Sequence, residues 1–307
     1  MNASPAIVSI GEPLIEFNRP KEGDGRTWLQ GFGGDSQNVV IAAARQGATT
    51  GYLTSVGKDW MGDAFLDLWK AEGVDASKVG RHPTAPTGVS FVTHGPAGHK
   101  FDYLRKNSAA SLMTPAELPK DYIAGARFLH VSAIGQAISD TARAACDTAI
   151  AIARAAGAKV SYDTNLRLRL WDLEAARAKI HATIPLCDVA LPSLDDSQQL
   201  TGLSAADDIA DFYLELGAPL VALKMGSEGA LIALPGRRIR VPPHKVDALD
   251  ATGAGDTFDG SFLARLLDGD DPETAARYAN VAAALSTLGY GAVTPIPRRE
   301  TVLAHLT

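Results

Sequence analysis

Cysteine is scarce in this chain of 307 residues: there are two, Cys146 and Cys187, each in an apolar setting. So few exclude a disulfide framework or a cysteine-rich metal site, and fit two buried thiols in a reducing, cytoplasmic compartment. An uninterrupted apolar run of membrane-spanning length is also missing. The opening Met1-Asn2-Ala3-Ser4-Pro5 carries no basic region, so neither a transmembrane span nor a signal peptide is expected. Positive charge is in deficit, with 29 Lys and Arg against 35 Asp and Glu, a net charge of −6 and a pI of about 5.6. With no long basic run, nucleic acid and anionic membrane are poor partners. Two common nucleotide-binding devices are absent as well. There is no Gly-x-x-x-x-Gly-Lys-Ser/Thr loop, and no Gly-x-Gly-x-x-Gly follows the first strand, which argues against a nicotinamide-dependent dehydrogenase. What is there is 46% hydrophobic and 21% charged residues, the balance of a globular protein with a sizeable core.

Residues 6–11 read as a buried strand that 13–17 continue in extended form. A charged, Gly-rich stretch through Gly25 and a short strand-like piece at 27–32 follow. From Asp35, a good N-cap residue, apolar side chains recur at helical spacing to Gly47. A strand at 51–56 and an amphipathic helix at 59–71 come next. Strands at 87–93 and 100–105 flank the turn His94-Gly95-Pro96-Ala97-Gly98-His99, with no helix between them. Together with the pieces near 12–17 and 27–32, this hairpin is expected to form a small antiparallel sheet. Too thin to stand alone, it would pack as a lid or a dimer contact through Val89, Phe91, Phe101 and Tyr103. His94 and His99 lack a third ligand nearby and read as surface residues.

Beyond Met113, strands at 127–132, 158–163, 187–191 and 219–224 alternate with helices at 139–156, 172–183, 194–201 and 204–216. A hairpin at 229–241 and helices at 255–268, 272–288 and 298–305 close the chain. That alternation indicates a parallel sheet covered on both faces. Without internal repeats or linkers, the expected organisation is one domain over 1–307, with the lid built from insertions at approximately 12–32 and 87–108.

The most informative stretch is Asp250-Ala251-Thr252-Gly253-Ala254-Gly255-Asp256-Thr257, which runs straight into an apolar helical pattern. Its glycines permit a tight bend, and the start of the helix behind them presents unpaired N–H groups and partial positive charge, which is an anion site. Asp256 at that start can cap the helix or take a proton from a hydroxyl beside a bound phosphate. The block resembles the Asp-x-x-Gly-Ala-Gly-Asp signature of the ribokinase-like (phosphofructokinase B) carbohydrate kinases. Other blocks resemble that family in the same order: Gly33-Gly34-Asp35-Ser36-Gln37-Asn38, Ser55-Val56-Gly57-Lys58-Asp59, Lys224-Met225-Gly226-Ser227-Glu228-Gly229 and Asn280. Each alone reads equally well as a cap, a turn, a hairpin or a helix surface; their order and spacing carry the resemblance.

The resemblance implies a three-layer α/β/α domain with a mostly parallel central sheet and a small β-sheet lid. It implies Asp256 as general base, with Gly253, Ala254 and Gly255 as a backbone anion hole. ATP would lie against Ser193, Lys224, Gly226, Ser227, Gly229, Gly253, Gly255 and Asn280, with Mg²⁺ bridging its phosphates. The family's Asn-x-x-Glu is replaced here by Ser193-Leu194-Asp195-Asp196, which leaves Asp196 to reach Mg²⁺ through water. Asp250 and the 289–292 turn are the candidates for a monovalent cation such as K⁺.

Tyr-x-Arg-x-x-Ser-Ala-Ala at 103–110 and Asp-x-Asn-x-Arg-x-x-x-Trp at 163–171 resemble the 2-keto-3-deoxygluconate kinases of that family. That implies a sugar acid held by Gly33, Gly34, Asp35, Asn38, Phe91, Tyr103, Arg105, Asn165 and Arg167, with its primary hydroxyl facing Asp256. Two forked guanidinium groups suit a carboxylate, and a neutral hexose does not need them. A fructokinase or another sugar kinase is the alternative, and a non-catalytic sugar sensor on the same fold is a third reading. The partners expected are the sugar acid, ATP and a second copy of the chain through the lid sheet.

Overall fold

The computed structural model describes residues 4–22, 24–95 and 98–306. Met1-Asn2-Ala3 of the opening segment, Gly23 of the Gly-rich stretch and Pro96-Ala97 of the His94–His99 turn lie outside them. Among the described residues, nine strands form a central sheet in the order Arg237–Val241, Ala230–Leu234, Val221–Lys224, Val189–Ala190, Lys159–Asp163, Phe128–Ser132, Ile7–Ile10, Thr50–Leu53 and Val74–Asp75. All neighbours pair in parallel except at one edge, where Ala230–Leu234 runs antiparallel to both Val221–Lys224 and Arg237–Val241. Strands such as Ile7–Ile10 and Phe128–Ser132 are buried along their whole length, as a parallel sheet covered on both faces requires. Val8, Leu129 and Val160 pack on one side with the helix Asp140–Ala155. Ile7, Phe128 and Ala222 pack on the other with the helices Asp35–Arg45 and Ala254–Asp268.

Local chemistry sets the helix ends. Asp59, Ser139, Asp172, Ser193 and Asp271 each accept a backbone N–H as N-caps, and Gly73, Gly202 and Gly269 end helices in the left-handed conformation. Asp35 is not a cap. Gly34 holds that position, and Asp35 is the first helical residue.

The smaller sheet runs Leu29–Gly33, Leu14–Asn18, Gly88–Gly95 and Gly98–Leu104. It is mixed, not antiparallel throughout, because Leu14–Asn18 pairs in parallel with Gly88–Gly95. Its register also divides the four apolar residues expected to share a face. Ser90 is opposite Tyr103 and Val92 opposite Phe101, so Phe101 and Tyr103 point to one side and Val89 and Phe91 to the other. The expected strand at 51–56 breaks at Thr54, and its second part, Ser55–Gly57, pairs with Gly80–His82. The short helices Lys120–Ala124 and Ala133–Ala137 have too few turns to leave a periodic signal and were not foreseen.

The chain winds outward from Ile7–Ile10 through Thr50–Leu53, then returns to its other side at Phe128–Ser132. The reversal of strand order opens a crevice at the carboxyl ends of these two strands, where open α/β sheets bind ligands. Both cysteines are buried and free. Among the described residues, no helix is long and apolar enough to cross a membrane.

Candidate active site

A cavity of about 690 Å³ lies in that crevice, between the central strand ends and the small sheet. The helix Asp35–Arg45 brings Asn38 to it and the helix Ala254–Asp268 brings Asp256. Gly260 allows these helices to touch, since a Cβ there would stand 2.3 Å from Val39 O. The close approach puts Asn38 Nδ2 at 2.8 Å from Asp256 Oδ2, donating to it. Asp256 is only 9% exposed. Burial, with the carboxylates of Asp35 and Asp163 nearby, pushes its pKa up to about 7, against the Asn38 hydrogen bond and the Lys224 ammonium. A carboxylate with that proton affinity at a cavity wall is equipped to accept a proton at neutral pH.

Gly253 is the N-cap of the second helix, with φ 76°, and Gly253 and Gly255 line the cavity beside Asp256. Ala254 is placed differently. Its N–H donates to Ala251 O at 3.2 Å and it borders a second cavity, so it adds least to the expected anion hole. Gly33 and Gly34 form the opposite wall. Gly34 has φ 107°, and an added Cβ would stand 2.3 Å from Glu12 O. Gly34→Ala should therefore lower stability by about 1–3 kcal/mol, read as a lower Tm.

Asp35 accepts from Ser132 Oγ and from Asn165 Nδ2 at 3.3 Å, which ties the first helix to the loop after Lys159–Asp163. Arg167 follows in that loop and lines the cavity, 39% exposed, with Nη1 at 4.0 Å from Asp196. Arg105 arrives from the small sheet. It is not an unattached cation, because Nε donates to Glu12 Oε2 at 2.7 Å and Nη2 pairs with the same carboxylate. Its guanidinium also lies 5.0 Å from the centre of the Tyr103 ring. Arg169 pairs with Asp102 at 3.0 Å, outside the cavity lining.

Phe91 does not line the cavity. It stacks on Phe17 and meets the edge of Trp28, each at 5.6 Å, on the far face of the small sheet. Its neighbour Ser90 faces the cavity instead. His94 is not a plain surface residue: Nε2 bonds Asn18 Oδ1 at 2.8 Å.

The second cavity, about 780 Å³, is bordered by Gly226, Ser227, Gly229, Ala254 and Asn280 and by residues 243–248. Asn280 acts at one remove, since Nδ2 donates to Val241 O and Pro242 O and so shapes that wall. Lys224, Gly226, Ser227 and Gly255 border both cavities, which therefore meet at the helix start. Ser193 lines the first cavity, and its hydroxyl also caps the helix Leu194–Thr201. Asp196 lines the first cavity and accepts from Leu166 N–H at 3.1 Å. Asp250 is buried and lines neither cavity. Burial works against its charge, but donors from Gly291, Thr252 and Asn18 prevail and hold its pKa below the usual range.

Three acidic residues of this region went unnoticed in the sequence, Glu12, Glu16 and Asp259, while Asp163 stood in the 163–171 motif without an assigned role. Glu12 and Glu16 interrupt an apolar extended stretch, and Asp259 interrupts the buried face of a helix. A carboxylate in an apolar pattern is the signal that marks all three.

The model of the pfkB family of carbohydrate kinases matches residues 4–299. The chain belongs to this family. The 2-dehydro-3-deoxygluconokinase of Bacillus subtilis (strain 168) is 34% identical to the kinase over 98% of this chain and 95% of the relative. Fructokinase-1 of Oryza sativa subsp. japonica is 33% identical over 98% and 96%. A putative ribokinase II from E. coli, solved with ATP and Mg²⁺, superposes on the kinase with a TM-score of 0.90 at 25% identity, covering 98% and 99% of the two chains. It is thus a carbohydrate kinase with the α/β fold of that group.

Proposed function

We propose that this kinase transfers phosphate from ATP to the primary hydroxyl of 2-keto-3-deoxygluconate. The observation that carries the reading is the placing of Arg105, Arg167 and Tyr103 on the walls of the cavity that also holds Asp256. A carboxylate anchored by guanidinium donors would leave the far end of a six-carbon acid to reach the base. Asp35, Asn38 and Asn165 supply hydrogen-bonding groups for the hydroxyls between. The similarity to a 2-dehydro-3-deoxygluconokinase supports the same choice.

ATP would occupy the second cavity, with its phosphates reaching Gly253 and Gly255 where the cavities meet. Phosphoryl transfer then requires positioning, a base and positive potential, all of which the junction offers. Among the described residues, no cluster of three or more acidic, His or Cys side chains is arranged to hold a metal. That fits Mg²⁺ carried in by the nucleotide and touched by Asp196 through water, neutralising phosphate charge. Asp250, a buried anion beside the 289–292 turn, suits a monovalent cation such as K⁺. A second copy of the chain against the small sheet, with its exposed Trp28 and Leu29, completes the reading, and the cytoplasm is the compartment that supplies ATP.

Fructose is the second acceptor to weigh. The rice relative is a fructokinase, and Glu12 already neutralises much of the charge on Arg105. Coupled-assay kcat/KM across a panel of sugar acids and neutral sugars with ATP decides the matter. The acid should lead by at least about tenfold, the worth of one charged hydrogen bond. Equal or better turnover of fructose would overturn the assignment.

A further inference from the structure

A buried charge cluster lies beneath the junction of the two cavities, and Lys224 is at its centre. This lysine ends the strand Val221–Lys224, and its side chain is 12% exposed. Nζ lies 2.9 Å from each oxygen of Asp259 and 3.3 Å from Asp163 Oδ1. A Cβ built on Gly255 would stand 3.7 Å from the same Nζ, so the ammonium sits directly under the helix start. Lys224 borders both cavities, whereas Asp259 borders neither and is wholly buried. Asp259 follows Asp256 by three residues on one helix, nearly one turn further in.

We infer that Asp259 is a positioning residue for phosphoryl transfer, holding the Lys224 ammonium under Gly255, where the migrating phosphate must pass. A lysine on a four-carbon stem settles wherever local carboxylates draw it. With Asp163 as its one close partner, Lys224 would shift towards the sugar side, where Asp163 and Asp256 both attract it. The paired contact from Asp259 opposes that shift and fixes the charge between the two substrates. Stability does not require the arrangement, since a buried ion pair exchanged for apolar residues of similar volume is often neutral or better. A fixed cation at the point of charge migration is, by contrast, what a transferase uses.

This inference rests on Asp256 acting at the same junction, and the test separates the two. Full-length wild type, Asp256→Asn, Asp259→Asn, Lys224→Met and the double variant Lys224→Met/Asp259→Leu are compared for kcat, both KM values, Tm and ADP binding. Asp259→Asn should lower kcat by about 10- to 100-fold, less than loss of a direct donor, with both KM values within about threefold. The double variant leaves Asp163 without Lys224 but removes the second stranded carboxylate, so it should regain Tm relative to Lys224→Met, bind ADP and be no more active than Lys224→Met. Wild-type kcat in Asp259→Asn or in the double variant overturns the inference, as does a kcat loss that a regained Tm reverses. Activity retained by Asp256→Asn would instead overturn the reading of the junction itself.

Discussion

Asp256→Asn should lower kcat by about two to four orders of magnitude while leaving ATP binding close to wild type. The carboxylate combines position and proton affinity: it lines the first cavity beside the helix start, accepts one hydrogen bond from Asn38, and has its pKa pushed up to about 7 by burial. Asparagine keeps the shape and can still meet Asn38, but it cannot take a proton. The wild-type rate should rise with pH through about 7 as Asp256 loses its proton, and the variant should lose that limb. A kcat within tenfold of wild type, or an unchanged pH profile, would remove Asp256 from the chemistry.

The same group links activity to stability. Asp256 is raised to about 7, as is Glu16, where burial and then the Asp250 charge are responsible. Glu12, Asp35 and Asp259 are also raised, each chiefly by burial. In the unfolded chain these groups ionise near pH 4, so between about pH 4 and 7 the folded state binds more protons. Stability should then fall as pH rises through that window, against a smaller opposing trend below about pH 6.5 from His130, whose burial lowers its pKa to about 4. The unliganded kinase is expected to melt at a higher temperature at pH 5.5 than at pH 8. Asp256→Asn should flatten the slope and raise Tm at pH 8, a gain in stability matched by a loss of function.

How much of this was legible in the sequence depended on how far apart the cooperating residues lie. The Gly253–Asp256 block is contiguous, and its glycines, carboxylate and following helix could be read in one line. The long helices and strands were legible too, because their apolar periodicity persists over whole elements. Glu12 and Arg105 are 93 residues apart, so the sequence offered a cavity arginine and hid the carboxylate that engages two of its three guanidinium nitrogens. Lys224 and Asp259 were separated in the same way, by 35 residues, and Asp250 from Asn18 by 232. Phe91 was misplaced for a different reason. Side chains alternate across a strand, so choosing Phe91 over Ser90 required knowing which face the cavity takes, and the strand's own pattern does not say.

Removing the guanidinium groups should separate an acid substrate from a neutral one. Arg167→Gln is expected to raise KM for 2-keto-3-deoxygluconate by about 10- to 100-fold, equivalent to one charged hydrogen bond, with KM for fructose changed by less than about threefold. Arg167 is part-exposed and lies 4.0 Å from Asp196, which keeps partial exposure and the Leu166 N–H bond when the guanidinium is removed, so a Tm measurement alongside the kinetics separates folding from binding. Arg105 demands a different design. Reversing its charge would set a new carboxylate against the buried Glu12, and Arg105→Met alone would leave Glu12 unpaired, at a cost of about 3–5 kcal/mol. The double variant Arg105→Met/Glu12→Gln removes both charges and should retain a near-native Tm, which exposes the kinetic effect. In that variant the acid should again lose affinity far more than fructose does. If both substrates weaken equally in Arg167→Gln and in the double variant, the arginines shape the cavity without reading a carboxylate, and the acceptor is a neutral sugar.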